Sequence, residues 1–242
     1  MLKSYDYKYG VQVALKTCSS FYPNKICLKI LSYLPAIPNT RKNVQYLTVI
    51  EIEKIKFVLE EDPSISLQNK AIGLLAFYTG LRSSDIAGLT FNEIDWESDL
   101  IRIEQQKTGA PLVLPLRTIV GNALFDYITK ERPQWPENTI FLTVNAPYRK
   151  LHTTNLNAIC VTLMNRAGIR NNPGDRKGFH LFRHHLATTL LQHGIGQPVI
   201  SSTLGHQSPE SLTPYLSADF SHLKECALSI DGFPAKKEVF QL

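Results

Sequence analysis

The chain has 242 residues, 43% of them hydrophobic and 19% charged, with a formal net charge of +5. This is an ordinary globular composition without internal repeats, enough for one substantial core with at most a small appendage. The longest apolar-rich run, AIGLLAFYTGL at 71–81, is far too short to span a bilayer, and no early stretch has a signal peptide's apolar core. Cys18, Cys27, Cys160 and Cys226 are scattered, without a C-x-x-C pair, which argues against a zinc site or a disulfide framework. A cytoplasmic protein with reduced thiols and no membrane association is expected.

The charge is unevenly placed. In residues 1–44, Lys3, Lys8, Lys16, Lys25, Lys29, Arg41 and Lys42 stand against Asp6 alone, so the remainder is close to neutral. A basic arm on a near-neutral body suggests a polyanionic partner, most often nucleic acid, with a solvated lysine face as the ordinary alternative.

YLPAIPNTRKNVQYL at 33–47 reads as a linker. Thr48 and Glu51 then stand at capping-box spacing and predict a helix start. A second helix is predicted near 66–79, ended by Gly80, and a brief third from Ser83 or Ser84. The period next changes: LIRIEQ (100–105) and PLVLPL (111–116) read as a hairpin, joined by QKTGA with Lys107 at the turn's tip. A helix near 118–130, a short strand TIFLTV at 139–144 and a helix near 154–167 follow. GFHLFRHHLATTLLQHG at 178–194 reads as an amphipathic helix. QPVISSTLG forms another, with Pro198 suited to its first turn and Gly205 to its C-cap. A last helical stretch is predicted near 219–229. The expected class is mainly α with a small antiparallel β-sheet (α+β).

The helix at 178–194 carries an anomaly. At about 100° per residue, Phe182, Leu186, Ala187, Leu190 and Leu191 cover one half, and His180 and Arg183 fall inside it, with His185 and Thr189 opposite. Arginine is almost never fully buried unless paired, so a guanidinium on this face needs an anion. His180 and Arg183 are three apart near the helix start, where unpaired N–H groups and the dipole favour an anion. Taken alone, H-x-x-R is read more simply as a salt bridge to Asp or Glu.

Two further segments change that reading. YTGLRSSDIAGL sets Arg82 between a helix-ending glycine and a serine cap, a loop position from which a side chain reaches a cleft. LGHQSPESLTPYL sets His206 just after Gly205 and Tyr215 nine residues further on. With Lys107, this order of arginine, hairpin lysine, H-x-x-R, L-G-H histidine and tyrosine resembles the signature of the tyrosine recombinase (phage integrase) family, over roughly residues 45–229.

The resemblance implies that family's catalytic-domain fold and site-specific breakage and rejoining of double-stranded DNA, with no metal, nucleotide or other cofactor. It implies Tyr215 as the nucleophile on a scissile phosphodiester, leaving a 3′-phosphotyrosyl link and a free 5′-hydroxyl. Arg82 and Arg183 are then expected on the non-bridging oxygens, His180 as acid/base for the tyrosine and His206 as a hydrogen-bond donor. Lys107 is expected to protonate the leaving 5′-oxygen. Asp85 is expected to support Arg82 by an ion pair rather than to act in catalysis, with a surface acid at a helix N-terminus as the ordinary alternative.

The chemistry fits independently. Phosphoryl transfer is catalysed mainly by positioning and by neutralising charge on the equatorial oxygens, a task that rigid guanidinium groups suit. The substrate phosphate is thus expected to supply the anion that Arg183 needs, leaving the free chain with an under-compensated positive pocket. A phenol has a pKa of about 10, so Tyr215 needs nearby positive charge or a base. The covalent link conserves phosphodiester energy, and no G-x-x-x-x-G-K-[ST] sequence is present.

The pattern departs from the family in places. His185 replaces a customary Ser or Thr, Phe182 a leucine and Asp85 the more usual Glu, while Pro214 removes a backbone donor before Tyr215 and restricts Thr213. Residues 45–242 are expected to form the catalytic domain with a C-terminal tail. Residues 1–44 are expected to be a basic arm, a candidate remnant of the helical core-binding domain plus linker. Half of the clamp is expected to be missing, through a natural short form or a truncated or decayed copy, and weak, strongly salt-dependent DNA binding by this chain alone is expected. The alternatives are a catalytically silent DNA-binding decoy or truncated mobile-element remnant, and a type IB topoisomerase, which fits the compact body and L-G-H spacing less well. The tail after Tyr215 suits packing on its own body or on a neighbouring copy, giving self-association on DNA.

Overall fold

The structure, a computed structural model, describes residues 47–205 and, before them, helical residues at 13–15, 17, 29–30 and 32–33. The chain divides into two compact units, Met1–Asn43 and Val44–Leu242, and every element below belongs to the second. His206, Tyr215 and the helical stretch expected at 219–229 lie outside the described residues.

Helix α1 (Val49–Glu61) begins at the expected capping box: Glu51 N–H donates to Thr48 Oγ1 at 3.3 Å, and Thr48 N–H donates to Glu51 Oε2 at 2.8 Å. The Glu51 carboxylate also accepts from Arg170 Nε at 2.9 Å, tying the start of α1 to a loop far along the chain.

Helix α2 (Leu67–Thr79) is the centre of the molecule, with nine of its thirteen residues buried. Ser66 caps it through Asn69 N–H, and the Glu131 carboxylate accepts the Leu67 and Gln68 N–H groups at 2.6 and 3.2 Å. A negative group there satisfies orphan donors and complements the positive helix end. A Cβ at position 73 would collide with Leu59 and Leu163, so Gly73 lets two neighbouring helices close on α2.

Short helix α3 (Ser83–Gly88) leads through a 3₁₀ turn at Phe91–Glu93 to a three-stranded antiparallel sheet: β1 (Ile94–Asp95), β2 (Leu100–Glu104) and β3 (Pro111–Pro115), in that spatial order. Ile101 pairs with Leu114 and Ile103 with Leu112, and all four point into the core. Each such side chain contributes about 2 kcal/mol of burial, which fixes the hairpin's register. The predicted hairpin is therefore present, and the two-residue β1 was not foreseen.

Helix α4 (Thr118–Asp126) passes into a π-helical turn at Tyr127–Glu131, closed by Arg132 N–H on Tyr127 O at 2.8 Å. The buried Tyr127 stacks on Phe141 at 5.4 Å, and its hydroxyl accepts from Gln68 Nε2 at 3.0 Å. Helices α5 (Thr153–Arg166), α6 (His180–Gln192) and α7 (Gln197–Leu204) complete the described body.

The strand expected at 139–144 does not form. The segment makes only isolated bridges, Thr90 to Thr139 and Leu142 to Lys150. Ile140, Phe141 and Leu142 are all fully buried, so the side chains do not alternate between two faces as in a half-buried strand. The segment is an irregular core loop, pinned by Ile140 N–H on Leu89 O at 2.8 Å.

Two apolar clusters hold the fold: a large one around α2, and a small one of Ala187, Leu191, Ile200 and Leu204 that binds α7 to α6. Gln105, Arg183 and Thr188 are among the few buried polar residues.

Candidate active site

Helices α2 and α7 both end on glycines in the left-handed conformation, Gly80 and Gly205, each with φ +63°. Arg183, in the first turn of α6 and only 7% exposed, lies between these ends. Its Nη1 donates to Gly80 O at 3.0 Å and its Nη2 to Leu204 O at 2.5 Å. Arg82, immediately after α2, donates from Nη2 to Gly205 O at 3.4 Å. Both guanidinium groups thus converge on the C-terminal end of α7, directly before His206 in sequence. Helix C-termini present unpaired carbonyls and the negative end of the dipole, so cations are favoured there.

This corrects one expectation. The need of the buried Arg183 for negative partners is met in part within the free chain, by main-chain carbonyls, and does not wait wholly on substrate. A second correction concerns the helix wheel: His180 is exposed at the start of α6, whereas Leu181 is fully buried. The supposed polar side is also partly covered, since the His185 ring lies 5.6 Å from that of Phe77.

Asp85, in α3, is almost completely buried and sits 4.0 Å from Arg82 Nη1 through Oδ2. That is an ion pair without a hydrogen bond: Arg82 Nη1 and Asp85 Oδ2 are both buried, and neither has a hydrogen-bond partner among the described residues. Arg82 Nη1 is therefore a desolvated donor that no described residue takes up. The other Asp85 oxygen accepts Gln106 N–H at 3.0 Å and Ser84 Oγ at 3.3 Å. One carboxylate thus stands between the first arginine and the β2–β3 turn.

Lys107 is exposed on that turn. The residue two before it, Gln105, is fully buried, donates from Nε2 to Leu204 O at 3.2 Å and accepts Thr108 Oγ1 at 2.8 Å. Sequence reasoning missed Gln105, because a glutamine ending a strand reads as an ordinary polar residue.

The His180 and His184 rings meet edge to face at 5.7 Å. Although His180 is exposed as a residue, its ring packs against His184 and Gly178, and this local desolvation, then the charges of Arg176 and Arg170, hold its pKa below the ordinary histidine value. Burial, followed by the charges of His180, Arg183 and Arg176, pushes His184 down to about 4. Both imidazoles are therefore neutral near pH 7, the form that accepts a proton.

The structure brings Arg82, Asp85, Arg183 and the Lys107 turn around one helix end and puts His180 at the start of α6, while His206 and Tyr215 fall outside the described residues. Among the described residues no group of His, Cys, Asp or Glu is arranged to hold a metal ion, and no helix is long and apolar enough to cross a membrane.

Two arginines thus converge on one helix end in a mainly helical body with a small antiparallel sheet. Residues 45–222 match the model of the phage integrase family, and the chain belongs to that family, the tyrosine recombinases, which are DNA strand transferases.

A protein of Sinorhizobium fredii described as an integrase/recombinase, y4gC, is 34% identical over 190 residues, 76% of this chain and 96% of the relative. Tyrosine recombinase XerA of Pyrococcus furiosus is 27% identical over 176 residues, 72% of this chain and 58% of the relative. The crystal structure of XerH recombinase bound to a palindromic difH substrate shares the fold, with TM-score 0.66 and 22% identity over 81% of this chain and 56% of that one. This chain thus spans nearly all of the first relative and less than two thirds of the other two.

Proposed function

We propose that this chain cleaves and rejoins double-stranded DNA at a specific site through a 3′-phosphotyrosyl intermediate. Residues 45–242 serve as catalytic domain and tail, and residues 1–44 as a basic arm along the DNA. The observation that carries this reading is the convergence of Arg82 and Arg183 on Leu204 O and Gly205 O, with Arg82 Nη1 buried and lacking an acceptor among the described residues. A buried donor left without an acceptor is costly, and a non-bridging phosphate oxygen meets its need.

In the forward step Tyr215 Oη attacks phosphorus, and its proton passes to His180, which its lowered pKa keeps neutral and able to accept. As the Tyr215–phosphorus bond forms, the phosphorus–O5′ bond breaks and the Lys107 ammonium gives a proton to the 5′-oxygen. Arg82, Arg183 and His206 hold the non-bridging oxygens, where charge grows in the transition state. Rejoining is the reverse, with the 5′-hydroxyl of a second strand as attacker. Asp85 orients Arg82. A cytoplasmic setting fits the free, buried thiol of Cys160, and the tail after Tyr215 is the surface through which copies associate on DNA.

The test is incubation with nicked suicide duplexes drawn from the sequences flanking the native locus, followed by SDS gel electrophoresis. An SDS-resistant adduct is expected, absent in Tyr215→Phe although that variant still binds DNA. An adduct in the variant would show a different nucleophile. Binding without any adduct from the unmodified chain indicates the decoy reading, and relaxation of supercoils without sequence preference indicates a topoisomerase.

A further inference from the structure

Gln105 does more than fill space. Its side chain is fully buried, yet both ends of its amide are engaged: Nε2 donates to Leu204 O, the carbonyl that also takes Arg183 Nη2, and Oε1 accepts the Thr108 hydroxyl. Its backbone closes the turn as well, with Thr108 N–H and Gly109 N–H donating to Gln105 O at 3.2 and 2.8 Å and Gln105 N–H donating to Ala110 O at 2.9 Å. On the α7 side, a Cβ at position 205 would collide with all three terminal atoms of the Gln105 amide, so the amide lies flat on Gly205. The next residue, Gln106, is tied through its N–H to Asp85. Lys107 is therefore an exposed residue on a turn anchored at both preceding positions.

We infer that Gln105 is a positioning residue for Lys107: it bolts the β2–β3 turn to the carbonyl that seats Arg183, so that the proton donor and the phosphate-holding guanidinium keep one fixed separation. The inference rests on the proposed function above, in which Lys107 protonates the leaving 5′-oxygen. A long, flexible ammonium on a free turn would meet that oxygen only part of the time, and small misplacements of a catalytic group are costly in rate.

The test compares two nicked duplexes that differ in one atom, an oxygen or a sulfur bridging phosphorus to the 5′-carbon at the scissile position. A thiolate leaves without a proton, so any defect that acts through Lys107 disappears with the sulfur substrate. Gln105→Met keeps the volume and removes both amide hydrogen bonds. It is expected to slow adduct formation on the oxygen substrate by roughly tenfold to a hundredfold, less than the roughly hundredfold to ten-thousandfold for outright loss of a general acid because Lys107 itself remains, and to cleave the sulfur substrate within about threefold of the unmodified chain. Gln105→Ala serves as a second variant, with its folded state checked by thermal melting. A substrate-free measurement runs beside these: native trypsin cleavage after Lys107 is expected to accelerate in both variants. Equal slowing on both substrates, no slowing on either, or unchanged trypsin cleavage would overturn the proposal. Lys107→Ala is the control for the underlying reading: if it is not rescued by sulfur while the unmodified chain cleaves normally, then Lys107 is not the acid, and the failure lies in that reading rather than in the role of Gln105 as an anchor.

Discussion

Arg183 is buried because two helices end on it. A guanidinium forks its N–H groups in a plane, so one side chain reaches Gly80 O and Leu204 O at once, whereas an ammonium is a single point charge. Arg183→Lys is therefore expected to lower the melting temperature by several degrees and to reduce adduct formation about a hundredfold, read by calorimetry and the SDS gel. A Lys variant matching the unmodified chain in both would show that the fork is not needed. His184 carries a different prediction. Its folded pKa of about 4 lies below the ordinary 6.5, so protons favour the unfolded chain. The stabilisation is complete above pH 6.5 and is lost as pH falls toward 4. With allowance for solvent screening, the loss between pH 7 and pH 5 is on the order of 1 kcal/mol. Urea midpoints at those two pH values should separate less in His184→Gln; an unchanged separation would assign the pH dependence to other groups.

The ends of the elements, rather than their middles, build the site. The α7 C-cap at Gly205 meets two demands together, a φ of +63° and direct contact with the Gln105 amide. Gly205→Ala is expected to cost about 1 kcal/mol for the left-handed backbone and about 1–3 kcal/mol more for overpacking. The second part should fall in the double variant with Gln105→Ala, a coupling that a double-mutant cycle in denaturant measures; strict additivity would show that the two residues do not press on each other. These ends also explain which elements were legible. Thr48 with Glu51, Ser66, Gly80 and Gly205 act on their own helices through contacts a few residues long, so their spacing announces the boundaries. The Glu131 cap on α2 comes from more than sixty positions away and has no local signature. The run at 139–144 has strand composition, but a strand exists only where another pairs with it, and here the neighbouring chain supplies two isolated bridges.

Across the whole molecule, charge and chemistry are separated along the chain. Residues 1–44 carry seven basic side chains against one acidic, whereas the body that holds the arginine pair is close to neutral. Binding by the full chain should therefore weaken steeply with salt. Each phosphate contact removed takes about 0.9 from the slope of log affinity against log salt. Deleting residues 1–44 is expected to make that slope shallower by several such steps, measured by fluorescence anisotropy over a salt series. An identical slope would show that the arm does not lie on DNA.

The linear order of Arg82, Lys107, H-x-x-R at 180–183, His206 and Tyr215 by itself determined the family and the expected chemistry, because a reaction that needs several charged groups leaves several residue types at recognisable spacings. Most helices and the hairpin were legible for a related reason: caps, turn glycines and alternating burial act over a few residues. Only the tertiary structure decided what holds the two arginines and the β2–β3 turn together. Arg183 reaches back 103 positions to Gly80, and Gln105 reaches forward 99 positions to Leu204. A hydrogen bond to a backbone carbonyl imposes no residue type on its acceptor, so these contacts leave no mark in the sequence and exist only once the helices have packed.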